Sequence, residues 1–146
     1  MSVEKNEALV RRYLEGYATG EFDDAEDFIA SEASISIPML DENGKYGFVP
    51  FSTGPQEYQA MIQGYHKAFP DVSATIEDLV VTEDRAVVLY TLRGTFKGEF
   101  QGFAPNGNRF AYSGTEWIEF AEGKISRVRS VYDQMGWFQQ LGLLPS

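Results

Sequence analysis

Phe110-Ala111-Tyr112-Ser113-Gly114-Thr115-Glu116-Trp117-Ile118-Glu119-Phe120, then the pair Glu122-Gly123, then Lys124-Ile125-Ser126-Arg127-Val128-Arg129-Ser130-Val131-Tyr132-Asp133 decide how this chain folds. The first run alternates with a period of two, the signature of a strand with one face turned to a core. Phe110, Tyr112, Gly114, Glu116, Ile118 and Phe120 share one face; Ala111, Ser113, Thr115, Trp117 and Glu119 share the other. Glu122-Gly123 is a turn signal, so the two runs form an antiparallel hairpin. Upstream, Val72–Thr82 and Arg85–Phe96 flank a tight Glu83-Asp84 turn in the same way. A glycine-rich loop, Gly98–Gly107, carries Phe100, Phe103 and Pro105 and joins the two hairpins.

The first half of the chain is read as helical. Val10, Tyr13, Leu14 and Tyr17 follow the spacing of one buried helix face, with Ser2 as N-cap and Gly20 as stop. A short second helix is expected over Asp23–Ala30, burying Ala25, Phe28 and Ile29, and Ser34–Ile37 reads as a short strand ended by Pro38. Met39–Ser52, with its Asn43-Gly44 turn signal, reads as a loop or irregular hairpin whose Phe48 and Phe51 look like lid residues. Thr53 and Gln56 fit a capping box for a third helix, which places Tyr58, Met61, Ile62, Tyr65 and Phe69 on one face and stops at Pro70. A compact apolar helix follows Asp133, from Gln134 to Pro145. Helices first and long antiparallel strands after make an α+β fold, with helices on one side of a sheet and a concave mouth suited to a ligand.

At 146 residues the chain reads as one domain, residues 1–146. Its net charge of -10 argues against nucleic acid and against anionic membrane surfaces. There is no cysteine, so no disulfide or thiol chemistry is available, and the single histidine, His66, cannot supply a His-rich metal site. No dinucleotide or phosphate-loop motif is present, and no cofactor is expected. Without a signal-peptide core or a long apolar run, the simplest expectation is a cytoplasmic protein.

Carboxylates, tyrosines, arginines and one histidine remain for chemistry. Asp133 lies among Val131, Met135, Trp137 and Phe138 in sequence, surroundings that would desolvate it and raise its pKa. Such a carboxylate can serve as general acid or base; the competing role is to cap the helix that follows. Glu116 is the lone charge on an otherwise apolar strand face, where an unpaired carboxylate costs several kcal/mol, on the order of the effective penalty for a buried ion. In simple register around Glu122-Gly123, Glu116 lies opposite about residue 129, so a cross-strand pair with Arg129 is expected. The high aromatic content can line a cavity or fill a core. Candidate lining residues are Tyr17, Phe48, Phe51, Tyr58, Ile62, Tyr65, His66, Tyr90, Phe103, Tyr112 and Trp137.

Several stretches, taken in order, resemble the SnoaL-like polyketide cyclases. These are Ala8-Leu9-Val10-Arg11-Arg12-Tyr13, Gly54-Pro55-Gln56-Glu57-Tyr58-Gln59-Ala60-Met61-Ile62, Phe69-Pro70-Asp71, Leu92–Gly102, and Tyr132-Asp133 followed by Gln140-Leu141-Gly142-Leu143-Leu144-Pro145. The resemblance implies a cone-shaped nuclear transport factor 2-like fold, three to four helices on a strongly curved, mostly antiparallel sheet. It also implies a homodimer formed through the open sheet face. The implied activity is an intramolecular aldol cyclisation without metal or cofactor, on a small apolar or aromatic carbonyl-bearing molecule, with Asp133 matching the acid/base position. The chain departs from that pattern in two places: many relatives carry histidine where Glu116 stands, and a polar pair where this chain has Ser36-Ile37-Pro38. Two other readings stay open. Limonene epoxide hydrolases resemble the fold and activate water with two acids and an arginine, residue types that Glu116, Asp133 and Arg129 supply; a non-catalytic small-molecule binder is the third.

Overall fold

The computed structural model describes residues 2–21 and 23–144. Helix α1 runs Val3–Thr19, with the Ser2 hydroxyl accepting from the Lys5 N–H and Gly20 closing it in the left-handed conformation at φ 70°. Helix α2 is one turn, Ala25–Phe28. It is shorter than expected because Ile29 already belongs to strand β1, Ile29–Leu40, where it pairs with Ile125. Strand β2, Tyr46–Thr53, returns antiparallel to β1. The Met39–Ser52 segment is therefore mostly regular hairpin, and Pro38 and Pro50 lie inside strands. Both are placed where a missing N–H is tolerated: β2 is an edge strand, and β1 passes Pro38 after its pairing with β6 has ended at Ser36.

Helix α3, Gly54–Ala68, starts with Pro55 in its first turn. Thr53 makes no side-chain cap; instead its N–H donates to the Glu57 carboxylate at 3.2 Å, so half of a capping box forms with a residue one place further on. Strands β3 (Ser73–Val81), β4 (Arg85–Thr95), β5 (Arg109–Ala121) and β6 (Lys124–Tyr132) follow, then helix α4, Gln134–Gln140. Pro145, the expected end of that helix, lies outside the described residues. The six strands form one curved sheet in the order β2-β1-β6-β5-β4-β3, antiparallel except for β1 beside β6. The helices cover the inner face, where Val10, Tyr13, Tyr58, Ile62, Phe69, Val88, Leu92, Ile118 and Val128 are almost wholly buried. Among the described residues, no helix is long and apolar enough to cross a membrane.

One irregularity governs the rest. The β5–β6 hairpin starts in simple register, with Ala121 opposite Lys124 and Phe120 opposite Ile125, but Glu119 then faces Arg127. Ser126 is an extra, unpaired residue whose hydroxyl donates to the Glu119 carbonyl at 3.0 Å. A one-residue bulge exchanges the two faces of everything beyond it. Glu116 consequently lies opposite Ser130, and Arg129 lies opposite Trp117 on the outer face. The expected Glu116–Arg129 pair does not form. The outer face carries Leu89, Trp117, Val131 and Phe48 with no helix over them, each between about two-fifths and one-half exposed. The Arg129 guanidinium lies over the Phe48 ring at 5.7 Å, and its buried Nε has no acceptor among the described residues.

Candidate active site

Inner-face positions of three strands form the floor of a cavity of about 300 Å³ between the sheet and the helices. Tyr90 and Leu92 come from β4, Tyr112 and Glu116 from β5, and Ser130 and Tyr132 from β6. Tyr17 of α1, Met61 and Tyr65 of α3, and Trp137 of α4 enclose it; Ile35 and Ile37 of β1 and Phe51 of β2 form another wall. Phe100 and Gln101 reach in from the loop before β5, and Gln134 completes the lining. Gly114 makes the floor possible. A Cβ there would sit 2.6 Å from the Tyr132 Cβ and 2.7 Å from the Tyr90 hydroxyl, so its absence leaves room for two of the phenols.

The loop is pinned where it leaves the sheet. The N–H groups of Lys97 and Gly98 both donate to the Ala68 carbonyl, at 2.9 and 3.0 Å. A Cβ on Gly98 would lie 2.3 Å from the Lys67 carbonyl oxygen. Phe100 and Phe103 bond to each other through their backbones, which turns Phe100 inward against Phe69 and Trp137 and leaves Phe103 in solvent.

Among the described residues, Glu116 is the only carboxyl in the lining, and no Lys, Arg or His joins it there. It is 2 % exposed, and its Oε2 has no hydrogen-bond partner. Burial pushes its pKa up from the usual 4.5 to about 8; the Tyr13 hydroxyl nearby acts the other way, favouring the charged form. That contact is loose, since the Tyr13 hydroxyl is itself without a partner at hydrogen-bond geometry. Desolvation also raises the pKa of Tyr17, Tyr65, Tyr90, Tyr112 and Tyr132, and the charge of Glu116 adds to the rise at Tyr17 and Tyr90. These phenols therefore stay neutral and keep their O–H donors. The hydroxyls of Tyr65 and Tyr112 bond to each other at 2.9 Å. The buried indole N–H of Trp137 has no acceptor among the described residues. A lone carboxyl and several neutral phenols thus line an otherwise apolar space, with the indole N–H of Trp137 buried in its wall.

Of the residues proposed from sequence, Glu116, Tyr17, Phe51, Tyr65, Tyr90, Tyr112 and Trp137 meet in this cavity. Others lie elsewhere. Asp133 is exposed and does not line the cavity; its Oδ1 accepts from the Gly136 N–H at 3.0 Å as the N-cap of α4. A Cβ at Gly136 would lie 2.2 Å from Oδ2, so this corner is shaped around the cap. The expected desolvation of Asp133 is absent because its apolar sequence neighbours Val131 and Met135 themselves point to solvent. Arg129 and Phe48 sit on the outer face. Tyr58 and Ile62 belong to the core, the Tyr58 hydroxyl donating to the Tyr13 carbonyl at 2.9 Å. His66 packs against Gly20 at the end of α1, beside a separate shallow groove. The two acids and the arginine of the hydrolase reading therefore do not converge. Sequence reasoning missed Ser130 and Tyr132, which the bulge turns inward, and Ile35 and Ile37, whose alternation in β1 carried the signal.

A family model for SnoaL-like polyketide cyclase matches residues 7–141. The chain is 31% identical over 137 residues to the aklanonic acid methyl ester cyclase AcmA of Streptomyces galilaeus, covering 92% of this chain and 89% of that protein. The solved structure of TsrD from Streptomyces laurentii superposes with a TM-score of 0.81, covering 99% of each chain at 23% identity. A SnoaL-like polyketide cyclase from Agrobacterium tumefaciens superposes with a TM-score of 0.71 at 26% identity, covering 97% of this chain and all of that one. The fold is the nuclear transport factor 2-like cone that the resemblance implies.

Proposed function

We propose that this chain, which belongs to the SnoaL-like polyketide cyclase family, closes a ring by intramolecular aldol addition in this cavity, with Glu116 as the group that moves the proton. The observation that carries the reading is the isolated, buried Glu116 carboxyl among neutral phenols. In the ionised form, about a tenth of the protein at pH 7 for a pKa near 8, it takes a proton from a carbon next to a carbonyl. The C–H electrons pass into an enolate. The enolate carbon attacks a second carbonyl carbon of the same molecule, one C–C bond forms, and the C=O electrons move onto oxygen. That alkoxide takes the proton back from Glu116, so the product is an isomer of the substrate and the carboxylate is regenerated. Glu116 is neutral while the enolate exists, so the two anions never face each other. The Trp137 N–H and the tyrosine hydroxyls are the available donors to the developing oxyanion.

The substrate class follows from the lining. A cavity that holds a carboxyl and no cation disfavours a second carboxylate. A neutral, esterified polyketide with at least two carbonyls fits, and the relatives are cyclases of a methyl ester. The test is Glu116→Gln assayed on aklanonic acid methyl ester. Turnover is expected to fall by about 10²–10⁴-fold with the fold intact, and wild-type kcat/KM to rise with pH and level above about 8. A glutamine variant with wild-type turnover overturns the reading. Asp133, the acid/base position of the resemblance, acts here through the α4 cap.

For assembly, the proposal is that a second copy covers the outer sheet face. Supporting it are the uncovered Trp117, Leu89 and Val131 and the Arg129 Nε that lacks an acceptor among the described residues.

A further inference from the structure

The lining of the cavity has a property that the cyclisation does not use. Tyr17, Tyr65, Tyr90, Tyr112, Tyr132 and Trp137 surround a single carboxyl, and none of the lining residues is basic. The faces of phenol and indole rings carry negative potential, which attracts a cation most strongly where water is excluded. Glu116 belongs to the lining, its Oε2 is buried and unpartnered among the described residues, and no described lining residue carries a positive charge to neutralise it. Twenty-two acidic residues against twelve basic ones bias the surrounding field the same way.

We propose that this cavity binds small organic ammonium ions, held by the aromatic lining and by the Glu116 carboxylate. The groups near Glu116 are phenols or hydroxyls: Tyr13 and Tyr17 from α1, Tyr58 from α3, Tyr90 from β4 and Ser130 from β6, while Tyr65 of α3, Tyr112 of β5 and Tyr132 of β6 share the cavity lining with it. None of them supplies a positive charge, and burial keeps the phenols neutral, so Glu116 alone titrates against the ligand. The sign follows by linkage. Burial holds the carboxyl protonated up to about pH 8, and a bound cation favours the ionised form. Binding at pH 7 therefore expels close to one proton. Below about pH 8 the affinity falls about tenfold per pH unit, because each unit removes about nine-tenths of the remaining carboxylate.

The experiment is isothermal titration calorimetry of the full chain with choline and with its uncharged carbon isostere, 3,3-dimethylbutan-1-ol, from pH 6 to 9. Choline carries a fixed charge, so any pH dependence belongs to the protein. The expected result is choline binding that tightens up to about pH 8 and then levels. At pH 9 it exceeds the alcohol by at least tenfold, and near pH 7 its heat changes with the ionisation enthalpy of the buffer. The alcohol should bind with no pH dependence. Equal affinity for the two ligands, choline binding that ignores pH, or no choline binding at pH 9 overturns the proposal. The two-ligand comparison on the wild-type protein decides the matter even if no variant folds. Where Glu116→Gln folds, it should retain the alcohol and lose the preference for choline. Neither outcome depends on turnover, so failure here leaves the cyclase reading standing, and a chain inactive on polyketide esters leaves this one standing.

Discussion

Replacing Glu116 by glutamine removes one titration from the folded protein while nearly preserving the shape of the side chain. Below about pH 4.5 the carboxyl is protonated in both the folded and the unfolded chain. Between there and about pH 8 the unfolded chain has released the proton and the buried site still holds it. The folded state then binds more protons than the unfolded state, so stability falls as pH rises, by about 1.4 kcal/mol per pH unit. Across the interval from 4.5 to about 8 this amounts to about 5 kcal/mol, comparable with the whole stability of many domains. Asp24 and Asp71 act in the opposite sense, since Arg12 and Thr95 lower their pKa values and their stabilisation is lost as pH falls. Both proteins share those groups, so the difference between variant and wild type isolates Glu116. The assay is urea unfolding of both proteins at pH 5, 6, 7 and 8 with a constant m-value. The variant should gain on wild type steadily and be the more stable protein at pH 8. Curves that stay parallel to within about 1 kcal/mol would refute the burial argument, and with it the assignment of Glu116 as the base.

Three further outcomes are expected. Asp133→Ala should lower stability by about 1 kcal/mol through loss of the α4 cap and leave cyclase turnover close to wild type, whereas Asp133→Asn should preserve both; chemical denaturation and initial rates check this. Gly98→Ala should destabilise by about 1–3 kcal/mol, because its Cβ must displace the Lys67 carbonyl, next to the Ala68 carbonyl that anchors the loop, and thermal unfolding reads the loss. Trp117→Glu should shift a self-associated protein toward monomer in sedimentation velocity while leaving far-UV circular dichroism unchanged, since Trp117 lies on the uncovered outer face.

Alternation alone placed Glu116 and Tyr112 on one face of β5, and helix spacing aligned Tyr17 and Tyr65 with the faces that turn inward, whereas Tyr132 escaped because the bulge reverses its side of the sheet. What could not be read locally was decided by partners distant in the chain. Ile29 has helical neighbours but pairs with Ile125 of β6, which cuts α2 to one turn. Pro38 and Pro50 look like terminators, yet the sheet offers each a position where an N–H is dispensable. Asp133 looked buried because its sequence neighbours are apolar; Val131 and Met135 turn to solvent, and proximity in sequence said nothing of proximity in space. The bulge did leave a trace: Ile125 and Val128 are both buried but three apart, a break in the period of two that marks an inserted residue.

That bulge also bears on how the chain folds. A hairpin zipping from Glu122-Gly123 without interruption would reach a different register, with Glu116 beside Arg129. The same register turns Arg127 and Arg129 toward the core side and sends Val128 outward. One ion pair in an apolar interior does not offset two buried guanidinium groups. The correct register therefore gains its advantage only once α2 and the rest of the core present an apolar surface for Ile125 and Val128 to meet, which makes it a late, tertiary choice rather than a local one. In the hairpin alone the acid has a cationic neighbour within reach; in the assembled protein that neighbour has been carried to the far side of the sheet.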